Sequence, residues 1–107
     1  MKLETGKNAS IITYNGITPN IHPSVFMTEG VRILGDVEIG EDCSVWYNTV
    51  IRGDVNYIRI GRRTNIQDLS MLHVNYKNCP LIIGENVTVG HSAILHGATI
   101  GNCVLIG

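Results

Sequence analysis

The sequence is poor in charge, proline and cysteine, and it lacks any long hydrophobic run. Only 16% of its 107 residues are charged, and eight Lys and Arg against nine Asp and Glu leave a formal charge of −1. A near-neutral chain does not build the basic surface that coats nucleic acid, nor a polybasic anchor for anionic lipid. Apolar residues make up 44% of the chain, which excludes the composition of a disordered segment. No apolar stretch approaches the roughly 20 residues of a membrane-spanning helix. The first residues, from Met1 to Gly6, contain no apolar secretory core. The three cysteines, Cys43, Cys79 and Cys103, are odd in number and show no CxxC spacing, which fits reduced thiols. These absences predict a soluble, cytoplasmic, single-domain protein.

What is present is a six-residue beat. Steps of six from Ile21 reach Met27, Ile33, Ile39, Val45 and Ile51, and the positions four further on are Val25, Val31, Val37, Cys43, Thr49 and Val55. All twelve are apolar or small. The beat resumes at Ile60, Ile66 and Leu72, and again at Ile83, Val89 and Leu95; a five-residue step then leads to Ile100, followed by Ile106. Neither an amphipathic helix, with a period near 3.6, nor an ordinary antiparallel strand produces this pattern. A coil of short strands does: each hexad supplies one strand with its first residue inward, and three hexads close one triangular turn. Turns then stack at the roughly 4.8 Å spacing of β-strands. Glycine just after the inward residue, at positions 40, 61, 84, 90 and 101, suits tight backbone at strand ends. The predicted fold is an all-β parallel β-helix over residues 19–107. Residues 1–18, with Ile11-Ile12-Thr13-Tyr14 and Asn15-Gly16, read as a strand and turn covering the first coil.

Two departures from the beat are expected to form edges. Nine residues separate Ile51 from Ile60, which places three extra residues around Tyr57. Eleven separate Leu72 from Ile83, which makes Val74 to Pro80 a loop. Insertions of this kind leave the stack at one edge and border sites. The chain reaches Gly107 with no polar cap in its sequence, so the expectation is a fragment or an end covered by another chain.

The same lattice gives the histidines addresses. The third strand of successive turns begins at Ile33, Ile51, Leu72 and Leu95, so the outward residues after them are Leu34, Arg52, His73 and His96. His73 and His96 therefore stack one turn apart, roughly 5 Å between backbones, close enough to share a metal ion about 2 Å from each nitrogen. His91 lies two residues after Val89, around a corner, roughly 15 Å of contour from His96 at about 3.3 Å per residue. It does not readily meet the same ion within one chain. A second subunit solves the geometry, and three such heterologous contacts close a ring. His22, just before Pro23, reads as an ordinary exposed imidazole.

Three runs then carry a specific resemblance: Val45-Trp46-Tyr47-Asn48-Thr49-Val50-Ile51-Arg52-Gly53-Asp54, Asn65-Ile66-Gln67-Asp68, and Gly90-His91-Ser92-Ala93-Ile94-Leu95-His96-Gly97. Together they closely resemble the γ-class carbonic anhydrase family over roughly residues 18–107. The resemblance implies a left-handed parallel β-helix, a homotrimer, and zinc (or iron or cobalt) bound between subunits by His73, His91 and His96. It further implies hydration of CO₂ to bicarbonate, with Gln67 orienting water and Arg52 and Asp54 as an interface pair near the metal. Asn65 and Asp68 are expected to support backbone or interface, and Trp46 and Tyr47 to pack between subunits. Three neutral imidazoles leave a coordination position open, as at catalytic zinc. The sequence departs from the family where carboxylates would release the proton. Val55 follows Asp54, and the Val74 to Pro80 loop holds no Asp or Glu, which predicts a metal site with weak turnover. The later coils and C-terminal helix of the family are absent. Two other functions share the coil: a hexapeptide-repeat acyltransferase, and a non-catalytic metal-binding or assembly module.

Overall fold

A computed structural model describes residues 5–107, and all its regular structure is β. The strands are β1 (Ser10–Ile12), β2 (Asn20–Ile21), β3 (Phe26–Met27), β4 (Arg32–Ile39), β5 (Ser44–Val45), β6 (Val50–Ile60), β7 (Asn65–Ile66), β8 (Met71–His73), β9 (Leu81–Ile83), β10 (Thr88–Val89), β11 (Ile94–His96), β12 (Thr99–Ile100) and β13 (Leu105–Ile106). Each pairs in parallel with the strand one coil away. The chain is therefore a solenoid of three sheet faces, as the hexad beat predicts. Face one stacks Ile21, Ile39, Ile60, Ile83 and Ile100 in register. Face two stacks Met27, Val45, Ile66, Val89 and Ile106. Face three stacks Ile11, Ile33, Ile51, Leu72 and Leu95, so β1 forms its lowest rung rather than a separate lid.

The core is the axis of this triangle. Ile33, Ile51 and Leu72 from face three, Val45, Ile66 and Val89 from face two, and Ile39, Ile60 and Ile83 from face one are all buried. The second small residue of each hexad fills the corner between faces. Where it is polar, it bonds upward: Thr49 Oγ1 donates to the Gln67 carbonyl at 2.9 Å, Thr64 Oγ1 to Gly84 at 3.0 Å, and Ser70 Oγ to Gly90 at 3.0 Å. Each buried hydroxyl thus satisfies a carbonyl of the next coil, which removes the cost of burying it. Cys43 occupies one such corner, where burial pushes its thiol pKa up.

Two sequence expectations need correction. Val55 does not fill a corner; it is 45% exposed, and Ile58 takes its place opposite Val37. The three inserted residues displace Val55 out of the stack, so the inward position is met three residues late. Val74 is likewise a core residue, 1% exposed, and the second loop begins only at Asn75. The glycines just after the inward residue at 40, 61, 84 and 90 are needed for proximity to the next coil, whereas Gly101 has open space around it. Among the described residues the corners turn instead three positions after the inward residue, at Gly30, Asp42, Asn48, Arg63, Leu69, Asn86, Ser92 and Cys103, each with positive φ. Gly61 has no such φ, but a Cβ placed on it would stand 2.6 Å from the Gly84 carbonyl oxygen.

Backbone of the next coil cannot yield to that Cβ without opening the stack. Gly61→Ala is therefore expected to lower unfolding free energy by about 1–3 kcal/mol, read as a lower urea midpoint with unchanged m-value.

Candidate metal centre

The stacking of β8 on β11 aligns Leu72 with Leu95 and, one residue on, His73 with His96. Alternation along a strand turns both imidazoles outward from face three. Their ring centroids lie 5.0 Å apart with planes inclined at 46°. Each ring has one nitrogen fixed. His73 Nε2–H donates to Asp54 Oδ1 at 2.9 Å, and His96 Nε2–H donates to the Val74 carbonyl at 3.1 Å. A carbonyl and an ionised carboxylate only accept, so each ring bonds through an Nε2–H, and the neutral form of either ring carries its lone pair at Nδ1.

Asp54 is suited to remain ionised. Partial burial pushes its carboxyl pKa up. The His73 hydrogen bond, the Val55 N–H at 2.7 Å and the nearby charges of His73 and Arg52 together outweigh that and hold it below the usual carboxylate range. Arg52 Nε stands 3.6 Å from Asp54 Oδ2, with its side chain 44% exposed. Both belong to β6, whose insertion leaves face three at this point and carries Asp54 over His73.

The remaining predicted residues lie elsewhere. Asp68 and His91 occupy equivalent corner positions after β7 and β10, with His91 Nδ1 3.2 Å from Asp68 Oδ1. The His91 side chain is 68% exposed. Asn65 Nδ2 donates to Ser44 Oγ at 2.6 Å, tying β7 to β5. Gln67 is half-buried beside β7, and its side-chain amide has no hydrogen-bond partner among the described residues. Trp46 packs on Phe26 and Tyr47, at centroid distances of 5.4 and 6.4 Å, with its indole N–H buried and unpaired. His22 turns to Ser24, 2.8 Å from its Oγ. One chain thus assembles Arg52, Asp54, His73 and His96, but not His91. Among the described residues no three His, Cys, Asp or Glu side chains of a single chain are placed to hold a metal ion together.

Known proteins are similar to this chain in sequence and fold. A carbonic anhydrase of Geobacillus kaustophilus is 55% identical over 97 residues, spanning 91% of this chain and 53% of that protein. Protein YrdA of Escherichia coli is 50% identical over 100 residues, 88% of this chain and 54% of that one. The solved structure of a hexapeptide transferase family protein from Anaplasma phagocytophilum superposes with a TM-score of 0.79 at 43% identity, over 84% of this chain and 52% of that one. Over the part it spans, the chain is similar to gamma-type carbonic anhydrases and to hexapeptide transferase family proteins. It spans about half the length of the curated relatives it matches. No family model matches it.

Sequence reasoning missed one part of this site. The Val74 carbonyl is a backbone group and leaves no residue signature. Its placement follows from the second insertion, whose neck, Asn75 and Cys79, closes over Gly97 just after His96. Gly97 has φ +51°, and a Cβ there would stand 2.8 Å from Cys79 Cβ. Gly97→Ala is expected to lift the loop and to speed tryptic cleavage after Lys77 severalfold, measured at low protease, where cleavage follows local opening.

Proposed function

We propose that the chain forms a γ-type carbonic anhydrase site, in which His73 and His96 of one copy and His91 of a second copy hold a divalent cation. The observation that carries this reading is the paired imidazoles, 5.0 Å apart and each anchored on its far nitrogen by an oxygen acceptor. Metal-binding histidines are held in this way by carboxylates and backbone carbonyls, which fix the tautomer and aim the free lone pair. The donor set fits zinc, iron or cobalt, all of which accept imidazole nitrogen. When bound, such a cation supplies Lewis acidity that makes hydroxide available near neutral pH.

The residues of the chain then have distinct tasks. Asp54 orients His73 and adds negative charge behind it, raising the basicity of the ring toward a cation. The Val74 carbonyl does the same for His96 without charge. Asp68 aims His91 outward, in the direction a neighbouring copy must approach. Gln67, with its amide free, is available to position water or bicarbonate. Water adds to CO₂ to give bicarbonate and one proton, and that proton must reach solvent. The loop beside His96 offers Asn75, Lys77 and Asn78 but no carboxylate, so its side chains supply no acidic relay and turnover is slow. Three copies joined by the heterologous contact close a ring with one cation at each seam.

A second reading, acyl transfer, is favoured by the likeness to a hexapeptide transferase family protein. The two differ in what the purified protein holds. The hydratase reading expects one metal ion per chain in a trimer, and stopped-flow CO₂ hydration by zinc- or iron-loaded protein. His96→Ala is expected to lower kcat/KM by more than about tenfold, the least that losing even a partner of a metal ligand costs. A metal-free protein protected from unfolding by coenzyme A, or hydration equal in wild type and His96→Ala, would refute it.

A further inference from the structure

The two insertions lie one coil apart at the same corner, and one side chain joins them. Asn56, in the first insertion, donates from Nδ2 to the Asn75 carbonyl of the second at 3.1 Å. Its Oδ1 accepts from the Tyr57 N–H at 2.9 Å, so both ends of the amide are engaged and its orientation is set. Among the described residues this is the one hydrogen bond by which another coil holds residues 75–79. The other bonds of that loop are its own: Asn75 N–H to Cys79 O at 3.0 Å and Asn78 N–H to Tyr76 O at 3.0 Å.

The consequence reaches His96 through a single peptide plane. The peptide joining Val74 to Asn75 gives its N–H to Cys79 and its carbonyl to His96. A peptide unit is rigid and planar, so the carbonyl cannot swing without its N–H leaving Cys79. Val74 pins one side of this plane in the core, and Asn75 pins the other through Asn56. We propose that Asn56 is a positioning residue: by holding the Asn75 carbonyl it fixes the Val74–Asn75 peptide and thereby the tautomer and direction of the His96 ring. The first insertion then orients both histidines, His73 directly through Asp54 and His96 indirectly through Asn56. The significance for metal rests on the reading of His96 as a ligand; the latch itself does not.

Asn56→Asp tests this closely, because it keeps the acceptor for Tyr57 N–H and replaces the donor with a carboxylate that repels the Asn75 carbonyl. Asn56→Ala, which adds no charge, serves as the second variant. In ¹⁵N spectra of metal-free protein, His96 is expected as Nε2–H alone in the wild type and as a tautomer mixture in both variants. His73, still held by Asp54, is expected to stay Nε2–H throughout. In a parallel titration with cobalt(II), both variants are expected to bind about tenfold more weakly than wild type, with an altered visible spectrum. A His96 tautomer unchanged in both variants, or His73 and His96 disturbed equally, would overturn the proposal. If the wild type takes up no cobalt while the His96 signal shifts selectively in the variants, the latch stands and the metal reading fails.

Discussion

Parallel pairing of each coil on the one below governs everything else in this molecule. It fixes the vertical step between equivalent residues at one strand spacing, and so converts positions in sequence into columns on a surface. The isoleucine and valine columns face inward and close the core. The column just after them on face three carries Arg52, His73 and His96. A pair of imidazoles in contact is thus a by-product of core register. Any slip of one residue between β8 and β11 would turn one histidine inward and separate the pair.

The coil is regular except where chemistry is concentrated. Both long insertions fall at the corner between faces three and one, directly beside the histidine column. A regular corner has backbone groups committed to the next coil and little polar surface to spare. By leaving the stack, the insertions free a carboxylate at Asp54, an amide at Asn56 and a carbonyl at Val74 to face the imidazoles and the neighbouring loop. The regular coils supply stiffness, and the irregular ones supply orientation. The corner that bears His91 is regular by comparison, and its exposed histidine pairs with Asp68 rather than with the imidazole column.

Close stacking also explains the unusual backbone demands. Left-handed residues recur at the corners, and some, such as Asn48 and Asn86, are of the type that tolerates this region well. Leu69 and Arg63 do not, yet in this conformation their N–H groups bond to the Tyr47 and Glu41 carbonyls of the neighbouring coil, at 3.0 and 2.9 Å. Glycines just after the inward position answer a different need, the absence of room between coils. The two requirements alternate along the chain, which is why a composition rich in glycine coexists with few glycines of positive φ.

Much of this was legible in the residues. The hexad period determined the strands, the inward columns and the vertical pairing of His73 with His96, because a repeat whose units stack in register needs only counting. The motifs around Trp46, Gln67 and His91 carried the family. Three features were decided by tertiary structure alone. Val55 left the core and Ile58 entered it, since an insertion shifts which residue meets the axis and the period does not say where the chain re-enters. Val74 joined the core and gave its carbonyl to His96, because a backbone acceptor has no side chain to announce it. Asn56 met Asn75 because two loops nineteen residues apart share one corner. Sequence thus determined the lattice, whose spacing is set by local repetition, and packing decided the orientation of the groups that depart from it.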